Sequence, residues 1–278
     1  PGYASINWFV ANGLWTEAAT SAGLLTSMLL AVGRIDEAQK LCESMELVVA
    51  NADNDVTRAM FSNFAAYIAH LRGNWDEAEV LFERAEPVLT RPEIELHITF
   101  PVVSVYYCKH LLEKGDASKA RKRAELALAW RASGSWQTLV DAQSLLASDI
   151  LMLGLACLHL GDMEDAEQYL ERQVEILKEC EEWFYLPIGL IARSQLYEAK
   201  ADFEAAASDL NEALQIAERT GALATLFEAR LHLANLNIAC QNLDEAREQF
   251  EEAKRITGLD GYAGLRNLAN GLDSALRG

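Results

Sequence analysis

Proline is scarce in this chain, five among 278 residues. Inside a helix it removes an N–H and clashes with the preceding turn, so its rarity leaves room for long helices. Cysteine is sparse and odd in number: Cys42, Cys108, Cys157, Cys180 and Cys240, with no Cys-x-x-Cys pair. Such usage fits a reducing cytoplasm. Cys42, Cys108 and Cys157 fall at packing positions, where free cysteine behaves as a small hydrophobe. Positive charge is in deficit, 24 Lys and Arg against 42 Asp and Glu, for a net charge of −18. An acidic chain without a large basic stripe points away from nucleic acid and from anionic membrane surfaces. Although 51% of the residues are hydrophobic, no run approaches the roughly 18 uninterrupted apolar residues of a membrane span. No signal peptide precedes Pro1 and there is no initiator Met, so the chain is read as a piece of a larger protein.

Catalytic signatures are missing as well. The five histidines, His70, His97, His110, His159 and His232, lie far apart in sequence. There is no His-Glu-x-x-His, no phosphate-binding glycine loop and no Gly-x-Ser-x-Gly elbow. His159 sits beside a turn glycine, where a donor or cation suits the terminal carbonyls of a helix. The Glu-rich stretch 164–182 reads as a solvated helix face. The chain is therefore expected to be non-catalytic, with no cofactor and no metal. Strand periodicity and low-complexity linkers are absent too.

What is present is a recurring phrase, Gly-polar-apolar-acid-acid-Ala. It runs Gly33–Ala38, Gly73–Ala78 and Gly161–Ala166, with a variant at Gly115–Ala120 and looser copies at Ala201–Ala206 and Gln241–Ala246. Its alanines, Ala38, Ala78, Ala120, Ala166, Ala206 and Ala246, step by 40, 42, 46, 40 and 40 residues. A fixed period of this size marks a solenoid, whose units bury their apolar faces only by stacking. The phrase is a helix-to-helix turn. Glycine tolerates the left-handed conformation just past a helix end, and the acids suit the positive end of the next helix dipole. The apolar residue three before the alanine (Ile35, Trp75, Met163, Phe203, Leu243) is expected to anchor the second helix on the first.

Three columns in register support this reading. Twelve residues before the alanines stand Thr26, Ala66, Cys108, Gly154, Ser194 and Ala234, all small enough for a close helix crossing. Seven after stand Met45, Ala85, Ala127, Gln173, Ala213 and Ala253, with Gln173 the clear departure. Four after stand Cys42, Phe82, Ala124, Leu170, Leu210 and Phe250, mostly core-filling.

Over roughly residues 16–256 these columns resemble the tetratricopeptide repeat family. Two departures matter. The period exceeds the usual 34 residues, and no proline ends the second helix, whose slots hold Ala50, Thr90, Ala132, Lys178, Glu218 and Gly258. Both indicate longer helices. Long variants of this kind resemble the superhelical regions of bacterial signal-transduction ATPases and of maltose-regulator-type transcription activators.

The expected architecture is all-α, a right-handed superhelical solenoid forming one domain over 1–278. Its units are about 16–51, 55–89, 98–132, 138–181, 184–219 and 222–256, after a short helix over 3–11. A terminal helix over 259–276, with Leu265, Leu268, Leu272 and Leu276 in one stripe, caps the last core face. Pro101 and Pro187 each stand nineteen residues before a repeat alanine. They fit the first turn of a first helix, with Thr99 a cap, or a kink in a helix begun earlier, near Pro92 or Trp183.

The resemblance implies that first helices line the concave face. By register, that face presents residues eighteen, fifteen, fourteen, eleven and eight before each repeat alanine. Candidate contacts are Met60, Asn63, Tyr67, His70, Tyr106, Lys109, Gln195, Glu198, Glu228, His232 and Asn235. Of these Asn63, Tyr67, His70, Tyr106, Lys109, Gln195, His232 and Asn235 are taken as the peptide-binding set, with Lys109 available to an acidic or C-terminal carboxylate group. Polar side chains beside aromatic rings suit recognition. The first unit offers Leu24, Ser27 and Leu30 instead. In the fourth, Leu151, Met152, Leu155 and Leu158 form an apolar patch, read as shared core in preference to a seat for an amphipathic helix. The carboxylate clamp of chaperone-binding relatives does not fit, since its slots hold Gly23, Ser27, Phe64, Val102 and Tyr106, or Asn63, Tyr67, Tyr106, Ser148 and Met152.

Lys114, Lys119, Arg121, Lys122, Arg123 and Arg131 form one basic cluster on the convex side. It reads as a solvated face or as a dock for acid, such as the Glu-rich helix 163–181 of a second copy. Together these features describe a non-catalytic protein- or peptide-binding scaffold or sensor of a larger cytoplasmic regulator. The alternative is a small-molecule effector sensor, which would need a concave pocket rather than a long groove.

Overall fold

The computed structural model describes residues 2–52, 54–90, 100–132, 142–256 and 263–277. Among these, every regular element is an α-helix. After α1 (Gly2–Ala11) come α2 (Trp15–Ala31), α3 (Ile35–Ser44) and α4 (Glu46–Asn51). The next two units are α5 (Asp55–Leu71) with α6 (Trp75–Leu89), and α7 (Phe100–Glu113) with α8 (Ala117–Ala132). Then come α9 (Ala142–Leu160) with α10 (Met163–Glu179), α11 (Leu186–Ala199) with α12 (Phe203–Thr220), α13 (Leu223–Ala239) with α14 (Leu243–Lys254), and α15 (Ala263–Arg277). Partners within a pair touch, and so do the first helices of neighbouring units, which builds the solenoid.

The turns follow from the repeated phrase. Gly33, Gly73, Gly115 and Gly161 hold φ between +81° and +86°. At each, the glycine N–H and the next N–H reach back to carbonyls of the finished helix, as in Gly73 to His70 (2.9 Å) and Asn74 to Ala69 (2.9 Å). Ala201 and Gln241 make the same turn at φ 59° and 63° despite carrying side chains. Pro187 lies in the first turn of α11, where a missing N–H is harmless. Thr99 and Pro92 lie outside the described residues.

All six repeat alanines are fully buried. So are Thr26, Ala66, Cys108, Ser194 and Ala234 of the crossing column, and a Cβ on Gly154 would stand 2.8 Å from the Leu170 side chain. Gln173 is buried at 2% exposure where other units carry alanine. Room for it comes from Gly189 of α11, since a Cβ there would lie 2.0 Å from Gln173 Oε1. In the first unit the same column holds buried Met45, and the expected helix 35–51 breaks there into α3 and α4. A methionine needs more room than the alanine usual at that crossing.

Two expectations need correction. Met163, Phe203 and Leu243 are exposed, so they do not anchor their helices, although Ile35 is buried. The terminal helix also does more than cap. Leu272 packs with Leu231, Ala234, Phe250 and Ala253, flanked by Leu276. Helix α15 also touches α5, so the end of the solenoid returns to its second unit. The side chains of Leu265 and Leu268 lie outside the described residues.

Candidate functional site

The inner face is built from α5, α7, α9, α11 and α13. The residues fourteen and fifteen before each alanine do not line it openly. Phe64, Tyr106, Met152 and Ala192 are buried, as are Asn63, Leu151, Ile191 and Leu231. Neighbouring first helices pack flank to flank, and that contact buries these residues, whereas Val105 and His232 at the same positions are half-buried. The position eleven before is buried in the second unit, at Tyr67, and more open later: Lys109 and Gln195 are half-buried and Asn235 is exposed. His232 and Glu228 are half-buried. In the fourth unit Leu151 and Met152 are core, while Leu155 and Leu158 are half-buried.

The structure brings part of the candidate set together. Tyr67 stacks on Tyr106 with ring centroids 4.0 Å apart and planes 8° apart, and on its other flank meets His70 at 5.7 Å. Asn63 lies one turn before Tyr67 on α5, is 1% exposed, and neither its amide N nor its amide O has a hydrogen-bond partner. The Tyr67 phenol is held well above the usual range, first by burial and then by the carboxylates of Glu113 on α7 and Glu228 on α13. Glu228, on the first helix of the sixth unit, is thus within electrostatic reach of this hydroxyl. On α11, burial raises the Glu198 carboxyl against a hydrogen bond from Asn235, and Glu198 Oε1 is shielded without a partner. Burial lowers His232, opposed by Glu228.

His70 and His110 were missed as a pair because forty residues separate them. One repeat length apart in sequence, they are neighbours in a stack. Their Nδ1 atoms lie 3.1 Å apart. His70 Nε2 faces Glu113 at 3.4 Å and His110 Nε2 faces Glu79 at 2.9 Å. One nitrogen of the central contact must donate and the other accept. Burial lowers His110, opposed by its hydrogen bond to Glu79. Glu113 is lowered: burial would raise it, but the His70 hydrogen bond and the charges of His70 and Lys109 prevail.

The convex basic cluster is largely consumed within the chain. Lys114 pairs with Glu79 at 2.6 Å, and Arg123 is buried against Glu86 at 2.5 Å. Arg121 reaches Asp162 at 2.5 Å and Asp165 at 3.1 Å, at the next turn of its own chain rather than on a second copy. Arg131 lies outside the residues whose side chains are described. A separate cleft of about 740 Å³ lies between α3–α4 and α5–α6, over Phe61, Ile68 and Leu81, away from the inner face. Among the described residues no group of three or more His, Cys, Asp or Glu could hold a metal, and no helix is long and apolar enough to cross a membrane.

Residues 150–182 and 189–220 match models of the tetratricopeptide repeat. No curated protein matches the whole sequence. Among solved structures, a thermophilic tetratricopeptide repeat protein of Thermus thermophilus is 21% identical, with 79% of this chain and 99% of that chain covered and a TM-score of 0.51. A signal transduction ATPase with numerous domains from Pyrococcus horikoshii, with a tetratricopeptide repeat sensor, is 17% identical; 95% of this chain and 40% of that chain are covered, with a TM-score of 0.56. A Rap protein complexed with Competence and Sporulation Factor is 14% identical, with 97% and 80% covered and a TM-score of 0.60. At these identities the likeness is one of fold.

Proposed function

We propose that the inner face of this chain, in which residues 150–182 and 189–220 match tetratricopeptide repeat models, binds a segment of another protein without chemical change, as the scaffold or sensor part of a larger cytoplasmic regulator. The observation that carries this reading is the Tyr67–Tyr106 stack beside the unpartnered Asn63 amide, continued by Lys109, Gln195 and Asn235 along the more open column. Buried aromatic anchors with a polar surround are where binding energy concentrates. Two neighbours of similar fold support it. One is an ATPase with a repeat sensor, and the other was solved with a bound factor.

A second reading, a small effector held in a closed pocket, draws on Tyr67 of α5 lying within electrostatic reach of Glu228 of α13. Photo-crosslinking separates the readings. A benzophenone side chain at Gln195 or Asn235 should capture a polypeptide from an extract of the source cells, and one at Lys122 should not. Tyr67→Ala should weaken that capture by at least about 2 kcal/mol while leaving the helical circular-dichroism signal intact. Capture at Lys122 alone would move the working surface to the convex side.

A further inference from the structure

The contact between His70 and His110 is closed by a proton, and both rings are sealed from water. We infer that this pair is a proton-operated clasp between the second and third units. It holds while one Nδ1 carries a proton and the other does not. It opens when both rings are charged, parting α5 from α7 and loosening the Tyr67–Tyr106 stack that the same two helices carry. The clasp does not depend on what the inner face binds.

The geometry carries the inference. The two Nδ1 atoms lie 3.1 Å apart, one on α5 and one on α7. A fully charged imidazole donates from both nitrogens. With both rings charged, two N–H groups therefore face each other across that contact with no acceptor between them. Neither ring can turn to water for relief, since His70 is 3% and His110 0% exposed. Turning would also take each Nε2 from its carboxylate, Glu113 at 3.4 Å and Glu79 at 2.9 Å. Rings on both sides fix the planes: His70 stacks between Tyr67 and Trp75, and His110 lies against Phe82. Although two nitrogens converge, no third His, Cys, Asp or Glu completes a metal set among the described residues. The species shared between them is a proton.

The surrounding charges set where the clasp works. Glu79 comes from α6, and Lys114, just past α7, holds it at 2.6 Å while Lys119 of α8 stands 3.6 Å away. Glu113 ends α7, where the charge of Lys109 also acts on it. Asp149 of α9, Arg123 of α8 and Glu86 of α6 act on Cys108, two residues before His110. The Tyr67 and Tyr107 phenols beside the rings are raised by burial and stay neutral. Glu79 is brought to about 2 and Glu113 is lowered, so both carboxylates remain ionised while the imidazoles titrate. His110 is held below its ordinary 6.5, first by burial and then by the charge of His70, against the Glu79 hydrogen bond. A base depressed in this way favours the closed state fully above 6.5. That benefit is lost as pH falls from 6.5 toward the folded value.

The test is amide hydrogen exchange of the unaltered chain at about pH 7.5 and about pH 5.5, each rate divided by its intrinsic value. An opened ring takes up the proton that the clasp refuses, which lowers protection up to about tenfold across that interval. Residues 61–71 and 103–113 should show this loss. Residues 203–219 of α12, in the fifth unit, should change by less than about twofold. An asparagine amide offers either an oxygen or an N–H near the position of Nδ1 and does not titrate. His70→Asn and His110→Asn should therefore each cut the loss to about twofold or less, whatever their protection at the higher pH. An equal loss at 203–219 would mean general acid softening and overturn the clasp. A full loss surviving His70→Asn would assign the effect to the burial of His110 alone and overturn the pair. Should the variants not fold, imidazole nitrogen NMR of the unaltered chain decides. His110 should take its proton below 6.5 and shift the His70 signals as it does so, whereas two independent titrations would overturn the coupling. A melting temperature raised by one equivalent of zinc would overturn it too, and make the pair a metal site.

Discussion

Ala201 and Gln241 hold left-handed backbone at φ 59° and 63°, where four earlier turns use glycine. For a residue with a side chain that conformation costs about 1–2 kcal/mol. Glycine removes the cost but adds back about 0.4–1 kcal/mol through the freedom of the unfolded chain. Ala201→Gly and Gln241→Gly should therefore each stabilise by about 0.5–1 kcal/mol, seen as a higher urea midpoint. A lower midpoint in both would show that these turns carry no strain. Glu79 offers a second test at this scale. Burial alone would raise its carboxyl, but hydrogen bonds from Lys114 and His110 outweigh that and bring it to about 2, against an ordinary 4.5. A carboxylate with a depressed folded value stabilises fully above its unfolded value, and the benefit is lost as pH falls from about 4.5 toward 2. Thermal melts of Glu79→Gln should lie a few degrees below the parent at pH 7 and converge with it near pH 2. A gap that persists at pH 2 would exclude the ionic origin.

Pairs of helices depend on what sits at their crossing. Gly154→Leu must displace Leu170, whose side chain stands 2.8 Å from the new Cβ. Ala234→Phe intrudes on the cluster of Leu231, Phe250 and Ala253. Overpacking of this kind costs about 1–3 kcal/mol, and unchanged urea midpoints for both would show that the crossings are not tight. The Gln173–Gly189 contact makes a sharper case. Gly189→Ala should destabilise on its own, because Gln173 Oε1 occupies the space of the added methyl. Combined with Gln173→Ala, the same change should be close to neutral, since the pair then matches the small residues used at Ala85 and Ala213. A double-mutant cycle with no coupling would refute this exchange. Between units, Lys114–Glu79 and Lys200–Glu167 repeat one ion pair at equivalent positions, and Arg72, from the same turn position, reaches Asp36 instead. These partly exposed pairs are worth little singly, and they fix neighbour register more than they stabilise.

In the whole molecule, stability is shared between neighbours, so the ends matter most. Deleting residues 263–278 uncovers Phe250, Ala253 and Leu231 and also removes the contact of α15 with α5. The truncated chain should self-associate in size-exclusion chromatography and melt lower. A monomeric product with an unchanged midpoint would rule out both the capping and the closing role.

The sequence by itself determined the helix pairs, the turns and the close-packed columns. Each depends on a residue and its nearest neighbours: a left-handed position after a helix, or an alanine or other small side chain at a crossing. That is why Ala38 through Ala246 are all buried as their period requires. The inner surface was legible only as a set of columns. Which columns stay open was decided by how closely first helices pack, and this buried Asn63 and Tyr106 while leaving Asn235 exposed. The histidines, far apart in sequence, became partners because stacking places residues one repeat apart side by side. The contact of α15 with α5 depends on the curvature accumulated over the units between them. No local pattern encodes that sum, and the tertiary structure alone sets it.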